Sequence, residues 1–82
     1  MLSDRDRGVL DVAGRFYRTQ GAREEAVRVE LGLTYTRYAI LLNRLLDDPD
    51  AWAYAPGTVQ RWRRARRQGT EAREARARRR VG

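Results

Sequence analysis

The chain has no cysteine, no histidine and no lysine. Without cysteine there is no disulfide, no zinc–thiolate site and no thiol nucleophile. Without histidine the commonest general base and the commonest metal ligand are both missing. No remaining residue set forms a nucleophile with a base beside it, so an enzyme is not expected. No apolar run approaches the roughly 18 residues of a membrane span, and the first residues lack the apolar stretch of a signal peptide. The expected location is the cytoplasm. Runs of alternating apolar and polar residues are missing too, which excludes a sheet and leaves helices.

Every basic residue is therefore arginine, eighteen of them in 82 residues, and they are unevenly spread. Residues 61–82 hold ten arginines against two acids, a net of +8, whereas residues 1–60 hold eight against nine acids, a net of −1. The whole excess of +7 lies in the tail. A dense cationic tail on a neutral body is the electrostatic footprint of a polyanion-binding arm. Guanidinium suits this use, because its planar fork grips phosphate or guanine with two hydrogen bonds and stacks on bases. The arm's contact residues are Arg61, Arg63, Arg64, Arg66, Arg67, Arg73, Arg76, Arg78, Arg79 and Arg80. An interfacial membrane helix is not expected, since the tail has no apolar face.

The body has the punctuation of a small helical bundle. Ser3 with Asp6 has the spacing of a capping box. Val9, Leu10, Val12, Ala13, Phe16 and Tyr17 then follow the helical period, predicting a first helix over residues 4–19 that Gly21 ends. A second helix is predicted over residues 22–31, with Ala26, Val27 and Leu31 facing the core. Glu24 and Glu25 fall in its first turn, where the helix dipole favours acids. Gly32 supplies a left-handed stop, Leu33 a plug for the corner, and Thr34 a cap for a third helix over residues 35–46. Asp48 and Pro49 mark the start of a short helix through Ala51, Trp52, Ala53 and Tyr54. Pro56, Gly57 and Thr58 break the chain again. From Val59 onward the composition favours helix, with Gly69 weakening it. Trp62, Ala65, Gly69 and Ala72 form one narrow stripe, with Trp62 able to pin the tail to the body. Beyond it a fraying helix or a disordered arm is expected.

Helix, glycine, apolar plug, threonine cap and helix follow one another in the order of a helix-turn-helix. Tyr38 and Leu41 return to the core, so Tyr35, Thr36, Arg37, Ala39, Ile40 and Asn43 face outward. Arg37 suits guanine, Thr36 a thymine methyl, and Asn43 adenine or phosphate, while Thr34, Tyr35 and Arg44 suit phosphate. Arg28 stands four before Gly32, where the common motif has a small residue. Either the helices cross widely there or Arg28 runs out to the edge. Asp47, Asp48 and Asp50 can be set against a magnesium ion, but a capping cluster around Pro49 accounts for them better. Trp52 and Tyr54 can stack on bases, though such a pair more often closes a small core.

Residues 2–67 also resemble an uncharacterised family of short actinobacterial helix-turn-helix proteins. The residues that carry the likeness begin with Leu2, Ser3, Asp4, Arg5 and Gly32, then Thr36, Arg37 and Tyr38, and Leu41, Leu42 and Asn43. Pro49, Ala53, Pro56, Val59, Arg61, Arg63 and Arg64 complete them. Residues 26–46 are similar, more weakly, to the sigma-factor region that recognises the promoter −35 element; Arg28 departs from it. These resemblances imply a helical DNA-binding protein and no defined activity.

The expectation is therefore an all-α fold: a helix-turn-helix bundle of three to four helices over residues 1–60 and a basic, partly helical arm over residues 61–82. Double-stranded DNA is the expected partner, bound with modest specificity in a nucleoid or accessory transcriptional role. RNA and an acidic protein partner, such as a component of the transcription machinery, are the alternatives. No cofactor or metal is called for.

Overall fold

The computed structural model describes the backbone of residues 1–81 and the side chains of residues 1–70. Helices are the only regular elements among them: α1 (Asp4–Ala13), α2 (Gln20–Ala26), α3 (Tyr35–Leu45), α4 (Pro49–Tyr54) and α5 (Pro56–Val81). A π-helical turn, Val27–Leu31, extends α2.

Local chemistry explains most of the boundaries. Ser3 Oγ accepts the Asp6 amide at 3.0 Å, Thr19 Oγ1 the Ala22 amide at 3.1 Å, and Thr34 Oγ1 the Arg37 amide at 3.1 Å. Asp48 accepts the Asp50 amide at 2.9 Å, with Pro49 at the first helical position. Each cap satisfies a first-turn amide that has no partner inside its helix. Gly32 ends the π turn at φ +66°, a left-handed conformation in which any side chain would be strained.

Three boundaries differ from the periodicity. The first helix stops at Ala13 rather than running to residue 19. Gly14 weakens it, and the carbonyl of Ala13 is taken by donors from α5. The apolar pair after it therefore leaves the helix: Tyr17 is half-buried against the core, while Phe16 is 89% exposed. The second helix starts at Gln20, because Thr19 caps it, so Gly21 lies inside the helix instead of ending the first. Pro56 begins α5 rather than breaking the chain, since a proline at a helix start lacks only an amide that would have no partner. Helix α5 then runs unbroken through Gly69 to Val81, so the arm's backbone is helical along its length.

The core is formed by Leu2, Val9, Leu10, Val12 and Ala13 from the N-terminal segment, Val27, then Tyr38, Leu41, Leu42, Leu45 and Leu46. Ala51 and Val59 close it from α4 and the root of α5. Leu33 is half-buried in its corner. Arg28 runs out to the edge, pairing with Glu25 at 2.8 Å, so the helices need not spread to admit it. Trp52 and Tyr54 do not close a core: they are 43% and 45% exposed. Ala51 within that short helix and Ala55 just after it take the inward positions, which turns the two rings outward.

Two contacts set how α5 leaves the body. The Trp62 indole donates to the Ala13 carbonyl at 2.8 Å, and Arg61 donates to the same oxygen at 2.6 Å. One turn on, Arg66 donates to Asp47 at 3.0 Å and to Asn43 Oδ1 at 3.0 Å. Past Arg66, Gln68, Gly69 and Thr70 are exposed, and the Thr70 hydroxyl turns back onto the Arg66 carbonyl at 3.1 Å.

Candidate nucleic-acid interface

On α3 the outward positions divide. Thr36, Arg37, Ala39, Ile40, Asn43 and Arg44 are exposed, but Tyr35 is half-buried and packs on the core. Its ring centroid lies 5.4 Å from that of Tyr38. Arg37 and Arg44 stand two turns apart on one face, and neither has a carboxylate partner among the described residues. Asn43 is held by Arg66, so it offers less to a base than its exposure suggests. The Thr34 oxygen is occupied by its cap, although its hydroxyl proton remains to donate. Glu24 and Glu25 line the shallow hollow before the α3 N-terminus, together with Arg28, Thr34 and Tyr35. Two carboxylates there oppose a close phosphate.

The denser cationic site is on α5. Arg63, Arg64, Arg66 and Arg67 line an open groove of about 460 Å³ with Trp52, Gln60 and Thr70. The Arg63 guanidinium carbon is 5.8 Å from the centre of the Trp52 ring, a distance at which the ring face attracts the cation and orders it. Only Arg66 among the four is bridged to a carboxylate among the described residues. That bridge draws the Asp47 carboxyl below its ordinary value and raises Arg66. The groove therefore combines several guanidiniums with one exposed indole, and can take phosphates and a planar ring side by side.

The predicted arm residues thus fall into two groups. Arg61 and Arg66 tie the helix root to the body. Arg63, Arg64 and Arg67 are exposed. Arg73, Arg76, Arg78, Arg79 and Arg80 continue along the same helix, and their side chains lie outside the described residues. The three aspartates expected to form a capping cluster each have a protein partner: Asp48 caps α4, Asp47 holds Arg66, and Asp50 pairs with the N-terminal amine at 2.8 Å. The part periodicity did not locate is the cluster on the opposite flank of α5, where Arg23 packs between Tyr17 and Trp62. Its only sequence signal was the glycine at position 14, which takes residues 15–19 out of the first helix.

The chain belongs to the family described as protein of unknown function, DUF3263, whose model matches residues 1–81. A search of curated proteins and one of solved structures found no match. Among the described residues no helix is long and apolar enough to cross a membrane.

Proposed function

We propose that this protein binds nucleic acid, with double-stranded DNA as the principal partner and α5 as the anchoring element. The observation that carries the reading is the groove at Trp52. There Arg63, Arg64 and Arg67 stand together on the exposed side of a helix that carries seven further arginines. At 1.5 Å per residue the 26 residues of α5 extend roughly 39 Å, about one turn of duplex. A helix of that reach can follow phosphates while the body rests on the duplex. Arg37 and Arg44 of α3 then contact the major groove or its edge, with α2 and α3 acting as a helix-turn-helix. The likeness of residues 26–46 to the −35-reading region supports that placement.

Specificity is modest in this reading. Ala39 and Ile40 offer no polar group to bases, Asn43 is engaged, and the two glutamates hold phosphate away from the turn. The role that follows is chromosome-associated or accessory to transcription, in the cytoplasm, with no catalysis. Fluorescence anisotropy with a labelled duplex at several salt concentrations tests it. With six to ten phosphates neutralised, affinity should fall roughly 10³–10⁵-fold between 50 and 200 mM salt. A slope near zero would overturn the proposal.

One observation favours RNA as a second reading: Trp52 is exposed beside Arg63, an arrangement suited to unstacked bases. Competition of structured RNA against the labelled duplex at fixed salt separates the two. Preference for RNA, lost on Trp52→Ala and untouched by Arg37→Ala, would select the RNA reading.

A further inference from the structure

A second cleft lies on the opposite flank of α5, where the loop after α1 meets the start of α2. It encloses about 260 Å³ and is lined by Arg15, Phe16, Arg23, Arg61, Trp62 and Ala65. No carboxylate lines it among the described residues. Arg15 is already engaged, donating to both oxygens of Glu30 at 2.7 and 2.8 Å. Arg23 and Arg61 thus bring two positive charges that no carboxylate offsets among the described residues.

These guanidiniums are held in place before any ligand arrives. The Arg23 carbon is 5.6 Å from the Tyr17 ring centre and 5.4 Å from that of Trp62, and Arg61 is 5.8 Å from the same Trp62 ring. Trp62 in turn is fixed by its hydrogen bond to Ala13. The Arg23 Nε is buried without a hydrogen-bond partner among the described residues. A buried donor without a partner is costly, and costs less when an acceptor enters the site. At the mouth stands Phe16, an apolar ring left 89% exposed, with no packing role in the bundle.

We infer that this cleft binds a 5′-phosphorylated nucleotide, its phosphate on Arg23 and Arg61 and its base against Phe16. Two uncompensated guanidiniums select an anion. The exposed ring beside them selects an anion carrying a flat, stackable group. The volume excludes a duplex and admits one nucleotide unit. The site is separate from the Trp52 groove and stands whether or not that groove binds DNA. The nucleotide can be free or the phosphorylated end of a strand; the chemistry at the cleft is the same.

Isothermal titration calorimetry on the full chain, with adenosine 5′-monophosphate as the probe, tests the inference. Binding should weaken at least about tenfold for adenosine and for inorganic phosphate, each of which lacks one half of the recognition. Phe16→Ala should cost about tenfold in affinity with melting unchanged, because the ring is exposed and outside the core. Arg23→Lys, which keeps the charge and loses the planar fork, should weaken the monophosphate by a similar factor. A 5′-phosphorylated dinucleotide that matches the monophosphate supports the site with strand ends as the source. A clear preference for the monophosphate supports it with the free nucleotide as the source. No heat at millimolar ligand overturns the inference, as does binding indifferent to Phe16→Ala. Duplex affinity measured on Phe16→Ala should equal that of the native chain, so the two sites succeed or fail separately.

Discussion

Arginine does different work in the two halves of this molecule. In the first thirty residues three guanidiniums pair with acids: Arg7 with Asp4, Arg15 with Glu30 and Arg28 with Glu25. Such exposed pairs contribute little to stability, but they neutralise the surface. At the root of α5, Arg61 and Arg66 reach backward to a carbonyl and a carboxylate of the body. On the other side of the same helix, Arg63, Arg64 and Arg67 are exposed. A net charge tells nothing of this division. What distinguishes them is how much of each guanidinium an acceptor on the same chain takes up: Arg61 donates through Nη2 to Ala13 and still lines the second cleft.

The comparison is broken most severely at Trp62, which joins the two regions. Trp62→Ala removes the indole hydrogen bond to Ala13 and the ring on which Arg23 and Arg61 rest. Truncating a large aromatic side chain in a core costs about 3–5 kcal/mol, and the half-burial of Trp62 places the expected loss near 3 kcal/mol. In a chain of this size that lowers the melting temperature by roughly 10–20 °C. A change below about 1 kcal/mol in chemical denaturation would mean that α5 is an appendage with no part in the fold.

The second test acts on the opposite group. Replacing Arg63, Arg64 and Arg67 together by Gln should leave melting within about 2 °C, since none of them contributes to the core. If each neutralises one phosphate, the slope of log affinity against log salt shrinks by roughly 2.7, equal to about a hundredfold loss near 0.15 M salt. Equal loss from Arg61→Gln, with the fold intact, would erase the distinction between root and outer face.

Much of this organisation was legible in the chain. Ser3, Thr34 and Asp48 cap where their spacing placed them, and Gly32 takes the left-handed turn. Those signals are local, and a cap acts within three residues of itself. The run from Val9 to Tyr17 misled, because a helical period continues past a glycine on paper. What stops that helix is an acceptor claimed from 49 residues away, by Trp62. The half of the candidate surface that depends on such long-range partners was correspondingly invisible. Neither the capture of Asn43 by Arg66 nor the seat of Arg23 between two rings leaves a pattern in the nearby sequence. Trp52 and Tyr54 were misplaced for a related reason: a six-residue helix buries only one face, and here Ala51 holds it.

The smallest expected effect lies at the seam between body and arm, at Tyr38. Its side chain is buried, yet its hydroxyl has no hydrogen-bond partner among the described residues. Burial, with a lesser contribution from Tyr35, pushes its ionisation up to about 12 from an ordinary 10, against the opposing pull of Arg23. The folded state therefore keeps its proton where the unfolded chain releases it. The associated stability is fully present below pH 10 and is lost as pH rises from about 10 to 12. Tyr38→Phe should abolish this share of the alkaline decline, leaving the part due to Tyr54, whose ionisation is raised by its hydrogen bond to Asp11. At neutral pH the same substitution should be neutral or stabilising by up to about 1 kcal/mol, because it removes a desolvated hydroxyl and keeps the ring. Denaturant titrations of both chains at pH 7 and pH 11 supply the comparison. If Tyr38→Phe destabilises at pH 7 by more than about 1 kcal/mol, the hydroxyl has an acceptor in solution, and the seam between α3 and α5 is held by hydrogen bonding as well as by packing.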